Sequence, residues 1–383
     1  MQRIYLDHAA TTPLDPRVRA AMDPHLTSVF GNASSAHWHG RQAKAALEQA
    51  RASVASSIGA HPSEIFFTSG GTEGDNLAIL GTVQARGPQG VITAAGEHHA
   101  VLDTCHHLQA LGVPVTVVPV DASGTVDLAA VEQALAGGAS LISVMHANNE
   151  VGTIQPVRAI ADLAVRAGAV MHTDAVQSAG KIPVHVDELG VHMLSLSAHK
   201  FYGPKGIGVL FIRRGTQVAP LAHGGGQERG QRPGTENVAL AVGCAEALRL
   251  AIDEQGAMMQ RLGGLRDRLE AEILRMFPGV LVNGDRGNRL PQLLSVSFDA
   301  GVYPMEGEML VTNLDLEGIS VSSGSACTSG SIQPSHVLAA MGRDEATAKA
   351  TLRFSFGAAN TDADVDTVVG AVQKVMERMV RPR

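Results

Sequence analysis

The stretch Ser195-Leu-Ser-Ala-His-Lys-Phe-Tyr202 presses Lys200 between a histidine and two aromatic residues. The apolar run Val191 to Leu196 leads into it and Ile207 to Ile212 follows, with Gly203, Pro204 and Gly206 turning the chain between them. A lysine at such a strand joint is partly desolvated, which lowers its pKa and leaves it a usable nucleophile. Other polar groups stand at the ends of apolar runs in the same way. They are Thr68-Ser-Gly-Gly-Thr-Glu73, Glu97-His98-His99, Asn148-Asn149-Glu150, Asp174 with Gln177, and Ser197-Ala-His-Lys200. Open parallel sheets bind ligands beyond the carboxyl ends of their strands, so these groups should converge on one crevice.

Each group also has a plainer reading. A lone glycine-rich turn can simply start a helix, although its N–H groups and the helix dipole suit a phosphate. Asn148 and Asn149 can make a turn, and Lys200 alone could snorkel to the surface. Asp174 after Ala-Val-Met-His-Thr is harder to dismiss, because a carboxylate at a buried strand end needs a cation or a donor. A lysine, an aspartate, a stacking imidazole and a phosphate cradle serve one chemistry together, that of pyridoxal 5'-phosphate. The lysine binds the aldehyde, and the aspartate keeps the pyridine nitrogen protonated so that the ring accepts electrons. No HExxH or CxxC spacing accompanies His98, His99, Cys105, His106 and His107, and no metal is expected.

The elements that must position these residues follow a β-α-β rhythm from about residue 50 to 215. Strand candidates are 64–68, 90–93, 114–118, 141–145, 169–173 and the pair flanking Lys200, with helical patterns such as 160–167 between them. That rhythm predicts an α/β fold with a mostly parallel sheet covered on both faces. Past residue 255 the pattern changes to a long helix, strands near 280–282, 293–298 and 351–356, and a final helix. Val365, Val368, Val369, Val372, Val375, Met376 and Met379 form its apolar face, and Thr361 with Asp364 suits a capping box. The expected division is a large cofactor-binding domain over 16–254. A smaller α+β domain over 1–15 and 255–383 would carry the Cys327 loop.

The chain has 383 residues, a formal charge of −7 and no block of basic residues, so neither direct nucleic-acid binding nor a membrane patch is expected. No apolar run reaches spanning length and the start lacks a signal pattern, so a cytoplasmic location is expected. Three widely spaced cysteines make no disulfide framework. Cys105 and Cys244 fall in apolar helical patterns and should be buried. Cys327, in Ser322-Ser-Gly-Ser-Ala-Cys-Thr-Ser-Gly-Ser331, has nothing apolar to bury it and should reach solvent.

Taken together, these motifs resemble the NifS/IscS-type cysteine desulfurases, pyridoxal-phosphate enzymes of the class V aminotransferase group and fold type I. The likeness runs from Tyr5-Leu-Asp7 to Arg353-Phe-Ser-Phe-Gly357. It includes His146-Ala-Asn-Asn-Glu150, Gly224-Gly-Gly-Gln-Glu-Arg-Gly230, Arg232-Pro-Gly-Thr235 and Ser322-Ser-Gly-Ser-Ala-Cys327. The resemblance implies Lys200 as the cofactor lysine and Cα base, Asp174 as the pyridinium partner, His98 stacked on the ring and Gln177 at the phenolic oxygen. Gly71, Thr72, Ser197 and His199 would hold the phosphate. Thr235 would reach the phosphate of a second subunit, which implies a homodimer. Asn149 and Arg353 would hold the carboxylate of L-cysteine. Cys327 would take the sulfur as a persulfide, leaving L-alanine, and pass it to an iron–sulfur scaffold or tRNA-thiolation enzyme. A selenocysteine lyase would keep most of these residues. A class V aminotransferase would need no Cys327, and a cofactor-free sulfur carrier would leave Lys200 and Asp174 without a role.

Overall fold

The computed structural model describes residues 3–323 and 334–380, so Cys327 lies outside the described residues. The first half of the chain alternates as the sequence pattern suggests. In order come β1 (Ile4–Tyr5), α1 (Pro16–Thr27), α2 (Trp38–Ile58), β2 (Ile65–Thr68), α3 (Gly71–Arg86), β3 (Val91–Ala94) and α4 (His99–Ala110). Then follow β4 (Val115–Val118), α5 (Leu128–Ala136), β5 (Leu141–Ser143), α6 (Val157–Ala167), β6 (Val170–Asp174), α7 (Val186–Leu189), β7 (Met193–Ser197) and β8 (Gly208–Ile212). After α8 (Val238–Asp253) and α9 (Gln255–Met276) come β9 (Val280–Asn283), β10 (Leu293–Phe298), α10 (Leu310–Leu316) and β11 (Ile319–Ser320). The chain closes with α11 (His336–Ala340), α12 (Glu345–Lys349), β12 (Thr351–Ser355) and α13 (Asp362–Met379).

Seven strands form the main sheet in the order β2-β8-β7-β6-β5-β3-β4. Strands β4, β3, β5, β6 and β7 pair in parallel, and β8 runs antiparallel to both β7 and β2. Every residue of the six strands other than β4 is buried, because helices cover both faces, which is why these strands read as unbroken apolar runs. Strand β4 at the edge exposes Thr116 and Val117. After β3 the chain passes outward to β4 and then returns to β5 on the other side of β3. That reversal opens the crevice expected at the carboxyl ends of the strands.

A second sheet, β12-β10-β9, is antiparallel and packs on α9 and α13 around Leu262, Leu269, Val296, Phe298, Phe354 and Val368. The helix α13 starts in a capping box, with the Thr361 hydroxyl accepting from the Asp364 N–H and the Asp364 carboxylate accepting from the Thr361 N–H. The first residues join this second core. Strand β1 pairs in parallel with β11, and Ile4 and Leu6 are buried with it. Val337, Leu338, Met341 and Ala348, although they come late in the chain, pack instead into the large core beside the main sheet.

Candidate active site

The carboxyl ends of β2, β3, β5, β6 and β7 open on a cavity of about 900 Å³. Its walls bring together Gly71, Thr72, His98, Asn149, Asp174, Gln177, Ser197, His199, Lys200 and Arg353. Of the candidates from sequence, Thr235 does not line it. That residue is exposed on the chain surface.

Lys200 enters from a short turn after β7. Its ammonium donates to the carbonyls of Ala9 and Ala10, both at 2.7 Å. Burial, and next the charge of Arg353, bring its pKa down to about 8. The N-terminal strand end is held against this turn by further bonds. The Thr12 N–H and hydroxyl both donate to the His199 carbonyl at 2.9 Å, and Thr12 Oγ1 accepts from the Tyr202 N–H at 2.8 Å. Tyr202 sits at φ 64°, a conformation a tyrosine rarely adopts, and these bonds help to hold it there.

Asp174 closes β6 at the floor of the cavity. Its Oδ1 accepts from the Val176 N–H at 2.8 Å, and no arginine or lysine pairs with it among the described residues. Burial raises its pKa, while His98 and Lys200 pull the other way. His172, two residues earlier on the same face of β6, supports the floor. Its Nδ1 lies 2.8 Å from Ser143 Oγ and its Nε2 3.0 Å from Ser195 Oγ, and burial lowers its pKa to about 3, so it is neutral. His98 caps α4, its Nδ1 accepting from the Ala100 N–H at 3.1 Å, and burial lowers its pKa as well. A neutral imidazole with one face to the cavity is suited to stacking.

Helix α3 begins at the same place with no side-chain cap: its N-cap is Gly70. First-turn N–H groups and the positive end of the helix dipole are therefore aimed at the cavity. Two glycines make the cradle possible. A Cβ on Gly71 would come within 2.7 Å of Val176 Cγ2, and one on Gly208 within 2.6 Å of the Gly70 backbone. Ser197 and His199 stand beside this cradle, with His199 Nδ1 3.1 Å from Thr11 Oγ1.

Arg353, on β12, reaches in from the second sheet. It donates to Asp7 Oδ1 at 2.8 Å and to the Asn149 carbonyl at 2.8 Å, while its buried Nε has no partner among the described residues. Gln177, expected at a cofactor's phenolic oxygen, uses one Nε2 proton on the Ala9 carbonyl at 2.9 Å and keeps the other. Cys105 and Cys244 are buried as expected, and burial pushes both thiols up to about 12.

Several contributors were not singled out from the sequence. The carbonyls of Ala9 and Ala10 are backbone atoms and carry no residue-type signal. Asp75, four residues into α3 from Gly71 and so on the same helix face, is 1% exposed with no hydrogen bond to Oδ1, which lies 3.6 Å from His172 Nε2, and burial, reinforced by Asp174, raises its pKa well above the usual carboxylate range. The signal was there, since an acid stands in a helix whose neighbours Gly74, Leu77 and Ala78 are small or apolar. Arg232 was quoted only as part of a motif, yet its Nε donates to Glu73 Oε1 at 2.8 Å and ties the 224–235 segment to the start of α3.

The arrangement fits pyridoxal phosphate on its own chemistry. An uncapped helix start with two obligatory glycines suits the phosphate. A buried carboxylate without a cation suits a protonated ring nitrogen, and a partly buried amine of lowered pKa between them suits the aldehyde.

Known proteins with this architecture agree. The model for the family "Aminotransferase class-V" matches residues 4–368. "Cysteine desulfurase IscS" of Dictyoglomus turgidum is 48% identical over 380 residues, which is 99% of this chain and 95% of the relative. The solved structure of a "NIFS-LIKE PROTEIN" superposes with a TM-score of 0.89 at 38% identity, covering 98% of this chain and 99% of that one. "SspA in complex with cysteine" superposes at 0.80 with 37% identity, over 92% and 98%. With the fold, the cavity and the sequence match in agreement, the chain belongs to the aminotransferase class-V family, whose cofactor is pyridoxal phosphate.

Proposed function

We propose that this protein is a cysteine desulfurase, which removes sulfur from L-cysteine to give L-alanine and a persulfide on Cys327. The observation that carries the reading is the meeting of Lys200, Asp174 and the uncapped start of α3 in one cavity whose wall includes Ser323, four residues before Cys327 in the chain. Cys327 itself lies outside the described residues, and its role rests on the motif Ser322-Ser-Gly-Ser-Ala-Cys327. The name of the Dictyoglomus turgidum relative and the cysteine complex of SspA support the same substrate.

When bound, pyridoxal phosphate supplies an electron sink for the pair left at the substrate's Cα. Asp174 would hold the ring nitrogen's proton, His98 would stack against the ring and Gln177 would offer its second N–H to the phenolic oxygen. Gly71, Thr72, Ser197 and His199 hold the phosphate. Arg353 and Asn149 orient the substrate carboxylate, with Asp7 fixing the guanidinium. Lys200 would take the substrate's Cα proton at Nζ. The Cys327 thiolate attacks the substrate sulfur. A sulfur–sulfur bond forms as the carbon–sulfur bond breaks, and the electron pair stays with the carbon skeleton, which takes up protons to become alanine. The persulfide sulfur then passes to an acceptor protein, an iron–sulfur scaffold or a tRNA-thiolation enzyme.

Product analysis tests the reading. With L-cysteine and a thiol reductant, sulfide and alanine should appear in equal amounts. Keto-acid exchange without sulfide would assign an aminotransferase instead.

The proposed assembly is a homodimer with shared sites. Thr235 is exposed on this chain and lies outside its cavity, which suits a residue that serves a second copy. Leu26, Phe30 and Trp38, from α1 to the start of α2, are 60%, 69% and 58% exposed, an apolar patch of the kind that marks an interface. Light scattering at micromolar concentration should report a dimer, and Thr235→Ala should weaken cofactor retention several-fold on dialysis. A fully active monomer would contradict the shared site. Among the described residues no helix is long and apolar enough to cross a membrane.

A further inference from the structure

Lys181 is a second buried amine to which the proposed reaction assigns no task. It follows β6 and is 8% exposed. Its ammonium donates to the Gln177 carbonyl at 3.0 Å and lies 3.5 Å from Gln177 Oε1, and no carboxylate pairs with it among the described residues. The other end of the Gln177 side chain donates to the Ala9 carbonyl, which also accepts from Lys200. The two amines therefore hang from opposite ends of one Gln177–Ala9 bridge.

Lys181 and Lys200 also share the wall of a second cavity, of about 80 Å³, distinct from the main one. Gln292 lies in that wall, 2% exposed, with both amide atoms unpartnered. Unpaired buried amide groups in a space of this size call for water. Two ammonium groups so deeply buried, with no anion beside Lys181 among the described residues, repel each other, and such a pair takes up its protons as a unit.

We propose that Lys181 is a positioning residue that acts through Lys200: the two amines share one positive charge, held by Lys181 while Lys200 is joined to the cofactor. When Lys200 takes the substrate's Cα proton at Nζ, Lys181 releases its own proton to water in the small cavity. The net charge behind the cofactor stays constant through the reaction. This rests on the cofactor reading above.

Burial, then the charge of Lys200, lowers Lys181 to about 7, close to the value of about 8 for Lys200. The imidazoles and the phenol facing the pair are moved away from that range. Burial lowers His8 and His98, and with the nearby lysines it takes His199 to about 4. Burial raises Tyr202. Arg353, Asp174 and Asp7 also face Lys200, and Asp15, Arg17 and Glu254 stand at the outer rim of the small cavity.

The test is the pH titration of the holoenzyme's cofactor absorbance without substrate. The parent should titrate over a broader range than a single proton allows, the mark of a coupled pair. Lys181→Met should sharpen the curve to one proton and raise its midpoint by about half a pH unit or more, because removing a positive neighbour favours the protonated form. Lys181→Arg, permanently charged, should give a single-proton curve with the midpoint lowered. A loaded Lys181→Met protein with the parent's midpoint and width overturns the pairing. So do Met and Arg variants that shift in the same direction, since size rather than charge would then be responsible. If the Met variant does not fold or load, the Arg variant decides: an unlowered midpoint overturns the pairing. A parent protein that takes up no cofactor overturns the cofactor reading as well.

Discussion

Replacing Lys200 by alanine should leave a folded protein that can no longer be fixed to its cofactor by borohydride and shows no measurable turnover. Two functions vanish with one side chain, the nucleophile that binds the aldehyde and the base at Cα. Loss of a positioned base alone costs up to about 10⁴-fold. The fold should survive, because the Ala9 carbonyl keeps its second donor, Gln177 Nε2, and the N-terminal segment remains tied through Thr12 to His199 and Tyr202. Borohydride reduction of the parent followed by peptide mass spectrometry should place the cofactor on Lys200. Two other lysines are near enough to make this a real test, namely Lys205 on the main cavity and Lys181 on the smaller one. An adduct on either of them would overturn the assignment.

Cys327→Ser should load cofactor at the parent's level and release sulfide at least about 10²-fold more slowly, because the thiolate is the sulfur nucleophile and a hydroxyl cannot replace it. A free thiol of ordinary pKa is only a few per cent thiolate near neutrality, so the parent's sulfur transfer should quicken as pH rises toward about 8.5. Cys105→Ala and Cys244→Ala serve as controls with a physical basis. Both thiols are buried and pushed up to about 12, so neither is ionised near neutrality, and turnover should stay near the parent's. Alanine formed from cysteine at the parent's rate by Cys327→Ser would refute the mechanism.

Much of this architecture was legible because the chemistry and the burial pattern coincide. Strands sealed between two layers of helices show themselves as apolar runs, and the polar residue that breaks each run, such as Asp174 or Ser197, is the one that lines the cavity. The cap of α13 was legible for a similar reason, since Thr361 and Asp364 satisfy each other within one turn. Less legible was whatever depends on two distant segments meeting. Val337 and Met341 look like any short amphipathic turn, and nothing local shows that they pack on the large core. Asp75 has small and apolar neighbours that hint at a covered helix face, but only the structure shows that Asp174 and Ser195 lie against it. The role of Gln177 was only partly visible. Its residue type promises hydrogen bonds, but only the structure shows that Ala9 takes one of them and Lys181 lies at the other end.

The pairing of Asp7 with Arg353, together with the β1–β11 and Asp7–Ser355 strand contacts, has a consequence for synthesis. Residues 7 to 12 leave the ribosome more than 300 residues before their partners on β12 are made. Long-range contacts of this kind must wait for the whole intervening chain, so the large sheet can form while the cavity wall that carries Asp7 and Arg353 is still missing. Vitamin capture by a nascent chain would therefore be loose, becoming firm only when β12 is released and closes on the segment 7–12.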